Sequence, residues 1–111
     1  YVYVGDVARA NVLAATRPLP PAGALDSRSF NIGTGVETSV IQLAQLLHDV
    51  CRTDAAIEHA PDRAGEVRRS ALDNTRARDI LGWSPNVSLA EGVAETFQWF
   101  AAERDAVSGA A

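Results

Sequence analysis

An α/β fold is predicted for this 111-residue chain, and three features predict it. Short runs rich in β-branched and aromatic residues alternate with stretches of helical period. Two Ser-x-x-(Gln/Glu) capping boxes, Ser39–Gln42 and Ser88–Glu91, each stand at the head of an amphipathic stretch. A Gly33-Thr34-Gly35 turn separates a strand-like run from the first of these boxes.

The elements follow in order. Tyr1 to Val4 reads as a short strand. Asp6 is placed to cap a helix over residues 7–16, with Val7, Ala10, Asn11 and Ala14 facing inward. Pro18, Pro20, Pro21 and Gly23 stop it. Ser29 to Ile32 reads as a second strand, followed by the glycine turn. The first capping box opens a helix to about Cys51, with Val40, Leu43, Ala44, Leu47 and Val50 on one face. Ala55 to Ala60 reads as a third strand, stopped by Pro61. Residues 61–70 form a polar loop rich in arginine.

Beyond it, Asp73 or Asn74 caps a short helix ending at Leu81, with Gly82 closing it. Trp83-Ser84-Pro85 connects to the second capping box, which opens a helix to about Arg104. Leu89, Val93, Phe97 and Phe100 are expected to face inward. The main region is residues 1–105, and a frayed tail, 106–111, is expected after it.

Composition narrows the function classes. Hydrophobic residues make up 47% and charged residues 22%, an ordinary globular balance. A net charge of −4 argues against nucleic acid as a partner, which a basic surface would bind by displacing counterions. One cysteine, Cys51, allows no internal disulfide and fits a reducing compartment. No apolar run reaches membrane-spanning length, so a cytoplasmic protein is expected. All ten basic residues are arginine, so chemistry that needs a lysine ammonium must come from elsewhere. The chain begins inside the apolar run Tyr1-Val2-Tyr3-Val4 and has no methionine, so it reads as a fragment.

Three places hold residues suited to a ligand. Gly33-Thr34-Gly35 sits where a dinucleotide fingerprint would, but Thr38 occupies the third glycine position, and a tight turn needing glycine dihedrals explains the pattern as well. In the loop 61–70, Arg63 is suited to bidentate contact with phosphate, and Glu66, three residues on, could accept hydrogen bonds from ribose hydroxyls. Gly65 would let the backbone turn between them. The alternative is a solvated charged loop. Asn31, at the end of the second strand, either bonds the backbone of the glycine turn or reaches a ligand phosphate. His48 and His59 have no partner at metal-binding spacing, so no metal site is expected. Cys51 reads as a small packed residue, and no nucleophile–base pair is recognisable.

Taken together, the ordered motifs resemble the C-terminal region of the extended short-chain dehydrogenase/reductases, in their NAD-dependent epimerase/dehydratase branch. The matching stretches are residues 1–10, Phe-Asn-Ile-Gly-Thr-Gly at 30–35, Thr-Ser-Val at 38–40, Arg-Ala-Gly-Glu-Val-Arg-Arg-Ser at 63–70, Leu-Gly-Trp-Ser-Pro at 81–85 and Ser-Leu-Ala-Glu-Gly-Val at 88–93. Gly5 departs from the pattern, which often has an acid or larger residue there.

The resemblance implies a substrate-binding portion with the last part of a Rossmann-like sheet, short strands and about four helices. It implies that Arg63 contacts the diphosphate of a UDP- or dTDP-sugar, that Glu66 contacts the ribose, and that Asn31 lies near the diphosphate. It also implies that NAD and the Tyr-x-x-x-Lys catalytic pair belong to an N-terminal Rossmann domain upstream, which takes hydride from C4 of the hexose, and that the parent is a homodimer. The chain alone would then be inactive. Glu66 favours the sugar-nucleotide 4-epimerases over the 4,6-dehydratases, which often carry histidine there; other dehydratases and decarboxylases share the pattern. A free-standing α/β nucleotide-binding or interaction module is the remaining alternative.

Overall fold

The computed structural model describes residues 1–23, 27–61, 63–67 and 69–108, the side chains as far as residue 104. Three α-helices and one π-helical turn occur among them: α1 (Val4–Thr16), α2 (Val40–Cys51), the π-helical turn Ala77–Leu81 and α3 (Leu89–Ser108). The chain divides into two compact units. The first comprises Tyr1–Glu37 and Val67–Ser88; the second comprises Thr38–Glu66 and the segment from Leu89 onward.

In the first unit, α1 begins at Val4, three residues before the expected start. The Tyr3 carbonyl accepts the N–H groups of Asp6 (3.0 Å) and Val7 (3.2 Å), so the first turn closes early. Tyr3 is thus the N-cap, with no side-chain bond that caps the helix, and Asp6 is not a cap. Asp6 is instead buried inside the first turn at 2% exposure. Its Oδ2 accepts the backbone N–H groups of Asn86 (2.9 Å) and Val87 (3.0 Å), and its Oδ1 accepts Arg9 Nη2 at 2.7 Å. The Trp83 indole N–H donates to the Asp6 carbonyl at 2.9 Å. Arg9 lies over the Trp83 ring, 5.8 Å from its centroid, and also donates to the Ser84 carbonyl.

Around this network sits the core of Ala10, Ala77, Leu81 and Trp83, packed by Val2, Leu13, Ala14, Leu19, Phe30 and Ile32. Ala10 faces inward as expected and Ala14 packs against the core, whereas Asn11 is exposed. Leu81 and Trp83 can both be buried because Gly82 reverses the chain between them with φ of 64°. The Gly82 N–H reaches the carbonyls of both Ala77, at the five-residue spacing of a π-helix, and Arg78 (3.0 Å), and the Trp83 N–H folds back to Ala77 (3.1 Å). Gly82 therefore closes the short helix, as the sequence predicts.

In the second unit, Ser39 and Gln42 form the expected reciprocal capping box on α2. Ser39 Oγ accepts the Gln42 N–H at 3.1 Å, and Gln42 Oε1 accepts the Ser39 N–H at 2.8 Å. Helices α2 and α3 pack on each other. Leu43, Ala44, Val50, Leu89 and Val93 are half-buried there, as expected, but Val40, Leu47, Phe97 and Phe100 are exposed. A pair of helices covers only one stripe on each partner, and burying a wider apolar face takes a further layer. Trp99 and Phe100 stack edge to face with centroids 4.9 Å apart. Helix α3 begins directly after Ser88, as the second capping box predicts, and runs to Ser108, one turn beyond Arg104. Residues 109–111 of the expected tail lie outside the described residues.

The predicted strands are the main correction. No strand occurs among the described residues: Val4 joins a helix, and residues 29–32 and 55–60 form no ladder. A β-branched run states a preference for extended backbone, but a strand exists only with a neighbour to exchange hydrogen bonds. The described residues bring no second extended segment to these runs.

Two predictions follow from the local geometry. Burial acts most strongly on the Asp6 carboxyl and raises its pKa. The Arg9 bond, the Val87 and Asn86 N–H groups and the Arg9 charge together more than offset it, leaving the pKa below the ordinary 3.8. A carboxylate whose pKa is lower folded than unfolded stabilises fully above the unfolded value and loses that contribution as pH falls through the folded value. Stability should therefore decline below about pH 5, and Asp6→Asn should flatten that decline in urea titrations. Asp6→Ala removes the acceptor of the Asn86 and Val87 N–H groups and of Arg9 and should cost ~1–3 kcal/mol in urea titrations. Arg52, which ends α2, sits in the left-handed region at φ 51°, ψ 50°. Arg52→Gly should raise the unfolding free energy by ~0.5–1 kcal/mol, the relief of left-handed strain exceeding the added freedom of the unfolded chain; a lower denaturation midpoint would contradict it.

Candidate functional site

Arg63 and Glu66 are brought together by a reverse turn in the second unit. The Glu66 N–H donates to the Arg63 carbonyl at 3.3 Å, and Gly65 supplies the positive φ, 87°, that the turn needs. Both side chains are exposed, and among the described residues neither is bonded. The turn thus offers a guanidinium and a carboxylate three residues apart. That pairing suits a ligand with an anionic group beside hydroxyls, since the guanidinium takes phosphate oxygens as a fork while the carboxylate accepts from O–H donors. Arg68, the other arginine of the expected cluster with Arg69, lies outside the described residues. Arg69 is in the first unit, where it pairs with Glu37 at 2.6 Å.

Asn31 is in the first unit. It is exposed, and its Nδ2 donates to the Asp73 carbonyl at 3.2 Å. It therefore bonds backbone, although not that of the glycine turn. Asn74 holds that turn instead, its Nδ2 donating to the Gly33 carbonyl at 2.7 Å. The expected Asp73 or Asn74 cap is not seen: the N-cap of the π-helical turn is Arg76, with no side-chain cap bond. Ahead of it, Asp73 Oδ1 accepts the Thr75 hydroxyl (2.6 Å) and the Thr75 N–H (2.9 Å), bonds that, with the hydroxyl first, hold the Asp73 pKa below its ordinary value. Two adjacent residues thus divide the work: Asp73 ties the local turn, and Asn74 reaches across to Gly33. The sequence placed both at a helix start, where either amide or carboxylate can cap, and carried no signal for the cross-link.

The glycine turn needs both of its glycines, for different reasons. Gly35 has φ of 74°, and a Cβ on Gly33 would lie 3.1 Å from Leu72 Cβ. Thr34 braces the turn, accepting the Val36 N–H (3.3 Å) and donating to the Tyr1 carbonyl (3.4 Å). Val2, Ile32, Thr34, Ser70 and Leu72 are among the residues lining a cleft of about 140 Å³ here. The Gly33 carbonyl accepts the Asn74 amide and the Thr34 hydroxyl joins the Tyr1 carbonyl to the Val36 N–H, so these groups brace a tight turn that needs glycine dihedrals. No cluster of three or more metal-ligating side chains occurs among the described residues.

The motifs and the fold define an extended short-chain dehydrogenase/reductase of the NAD-dependent epimerase/dehydratase type. Residues 1–96 match the family model for GDP-mannose 4,6 dehydratase, and the chain belongs to that family. It is 47% identical over 100 residues to a UDP-glucose 4-epimerase of Mycolicibacterium smegmatis, which covers 90% of this chain and 30% of that protein. The crystal structure of UDP-glucose 4-epimerase from Thermotoga maritima with UDP-glucose superposes with a TM-score of 0.79 at 42% identity, covering 93% of this chain and 31% of that one. A dTDP-glucose 4,6-dehydratase of Streptomyces griseus is 40% identical over 74 residues, 66% of this chain and 23% of that protein. The chain thus spans roughly a third or less of the length of these relatives.

Because Asn74 is half-buried and ties the turn, Asn74→Ala should lower stability by ~1–2 kcal/mol. It should also speed amide hydrogen exchange across residues 33–36, and unchanged exchange there would show the tie to be dispensable.

Proposed function

We propose that this chain is the nucleotide-gripping C-terminal part of an NAD-dependent sugar-nucleotide epimerase acting on UDP-glucose. The observation that carries the reading is the Arg63–Gly65–Glu66 turn, exposed and set in a chain 47% identical to a UDP-glucose 4-epimerase. Arg63 takes the diphosphate and Glu66 the ribose. Asn31 gives the diphosphate its remaining amide proton, the other being held by the Asp73 carbonyl. Chemistry at the hexose carbon belongs to polypeptide outside this chain, which holds no lysine for a Tyr-x-x-x-Lys pair. In the longer protein this segment supplies binding energy remote from the reacting carbon, which orients the sugar for reaction.

A homodimeric parent in the cytoplasm completes the reading; the single Cys51 suits a reducing compartment. No helix of the described residues is long and apolar enough to cross a membrane. The 40% identity to a dTDP-glucose 4,6-dehydratase favours a second reading in which the substrate is a dTDP-hexose.

Steady-state kinetics on the full-length protein tests both. Arg63→Ala should raise KM for UDP-glucose ~10- to 150-fold, the loss of a charge-assisted contact worth ~1.5–3 kcal/mol, with a smaller change in kcat. An unchanged KM would remove Arg63 from the site, and turnover of dTDP-glucose alone would select the second reading. A cooperative melt of the isolated chain, shifted upward by UDP, would instead favour a self-sufficient binding module.

A further inference from the structure

The chain leaves the first unit after Glu37 and returns to it at Val67, so residues 38–66 form an excursion with two ends. Glu37 is the last residue before departure, and Arg69 follows just after the return. Their side chains meet in a fork: Arg69 Nε donates to Glu37 Oε1 at 3.1 Å and Oε2 at 3.2 Å, and Nη2 donates to Oε2 at 2.6 Å. The fork fixes the direction as well as the distance of the contact. The excursion carries Arg63 and Glu66 near its second end.

An isolated surface ion pair ordinarily contributes little. This one differs in where it sits. Every described residue from Ala55 to Ser70 is exposed, so no packing fixes the course of the chain through the turn. Within the described residues of 63–67, the one backbone bond is the turn's own, from the Glu66 N–H to the Arg63 carbonyl. The fork at Arg69 is the tertiary anchor three residues beyond Glu66. Pinning both ends of an excursion removes much of its conformational freedom, and a turn ordered in advance loses less entropy when a ligand binds.

We infer that Glu37 and Arg69 are positioning residues, their ion pair clasping the two ends of the 38–66 excursion and so presenting the Arg63–Glu66 turn to a nucleoside diphosphate. The inference rests on the reading of that turn as the nucleotide grip. It assigns a role to two side chains that touch no ligand.

A charge-swap cycle in the full-length protein tests it, with E37R, R69E and the double variant E37R/R69E beside R63A. Three quantities are measured: UDP affinity by calorimetry, kcat with UDP-glucose, and hydrogen exchange of peptides covering residues 55–67. Each single swap should weaken UDP binding about two- to five-fold at low salt, leave kcat within error of the parent and speed exchange. The double variant should restore affinity and protection, and the differences should disappear near ~1 M salt. Circular dichroism confirms that each variant is folded. Wild-type affinity and exchange in both single variants, or no restoration in the double, overturns the clasp. Exchange that responds and reverts while UDP affinity stays fixed, with R63A still weakening UDP, overturns the positioning role and leaves the nucleotide site intact. Unchanged UDP binding in R63A removes the site itself and the role with it, while exchange still reports whether the clasp exists.

Discussion

The carboxylate of Asp6 takes two backbone N–H groups and a guanidinium, while its own carbonyl receives the Trp83 indole. Those bonds tie the first turn of α1 to a segment some eighty residues later in the chain. A buried charge is tolerated only when its lone pairs are filled, and here two backbone N–H groups and the Arg9 guanidinium fill them. The core follows from that constraint. Trp83 is fully buried because its one polar atom has a partner. Ala77 and Leu81 close beneath it because Gly82 can turn left-handed. The glycine turn and its cleft then rest on the same unit, held through Asn74 and Thr34.

The division of labour in the molecule is chemical as much as structural. The side chains suited to a nucleotide, Arg63 and Glu66, sit on an exposed turn, whereas the buried polar groups of Asp6 and Trp83 serve the fold. The chain spans 30% of the length of an epimerase that it matches over 90% of its own.

How much was legible in the sequence depended on the range of the interaction. The Ser39–Gln42 capping box, the helix it opens and the Gly82 stop are local, set by residues within a few positions, and they appear where the sequence put them. The strands were not legible, because Tyr1–Val4, 29–32 and 55–60 carry only a preference for extended backbone, and pairing is decided by neighbours. Asp6 misled in an instructive way: an acid before an apolar helix normally caps it, but the partners that claimed Asp6 were Asn86 and Val87. Phe97 and Phe100 showed the correct period but not what, if anything, lies against them. At the candidate site, Arg63 and Glu66 were visible through their spacing around Gly65, and Asn31 through its place before the glycines. The Glu37–Arg69 pair and the Asn74 tie were invisible, since neither partner is marked until the chain is folded.

Interleaving has a cost for anyone who would dissect the molecule. Each unit is assembled from two stretches that alternate along the chain, so no single cut yields either one whole. A truncation between α2 and the π-helical turn would leave α1 without Trp83 and α2 without α3. Nascent α1 must likewise wait on the ribosome until Trp83, Asn86 and Val87 have emerged, and until then Asp6 has only Arg9 and water to satisfy it.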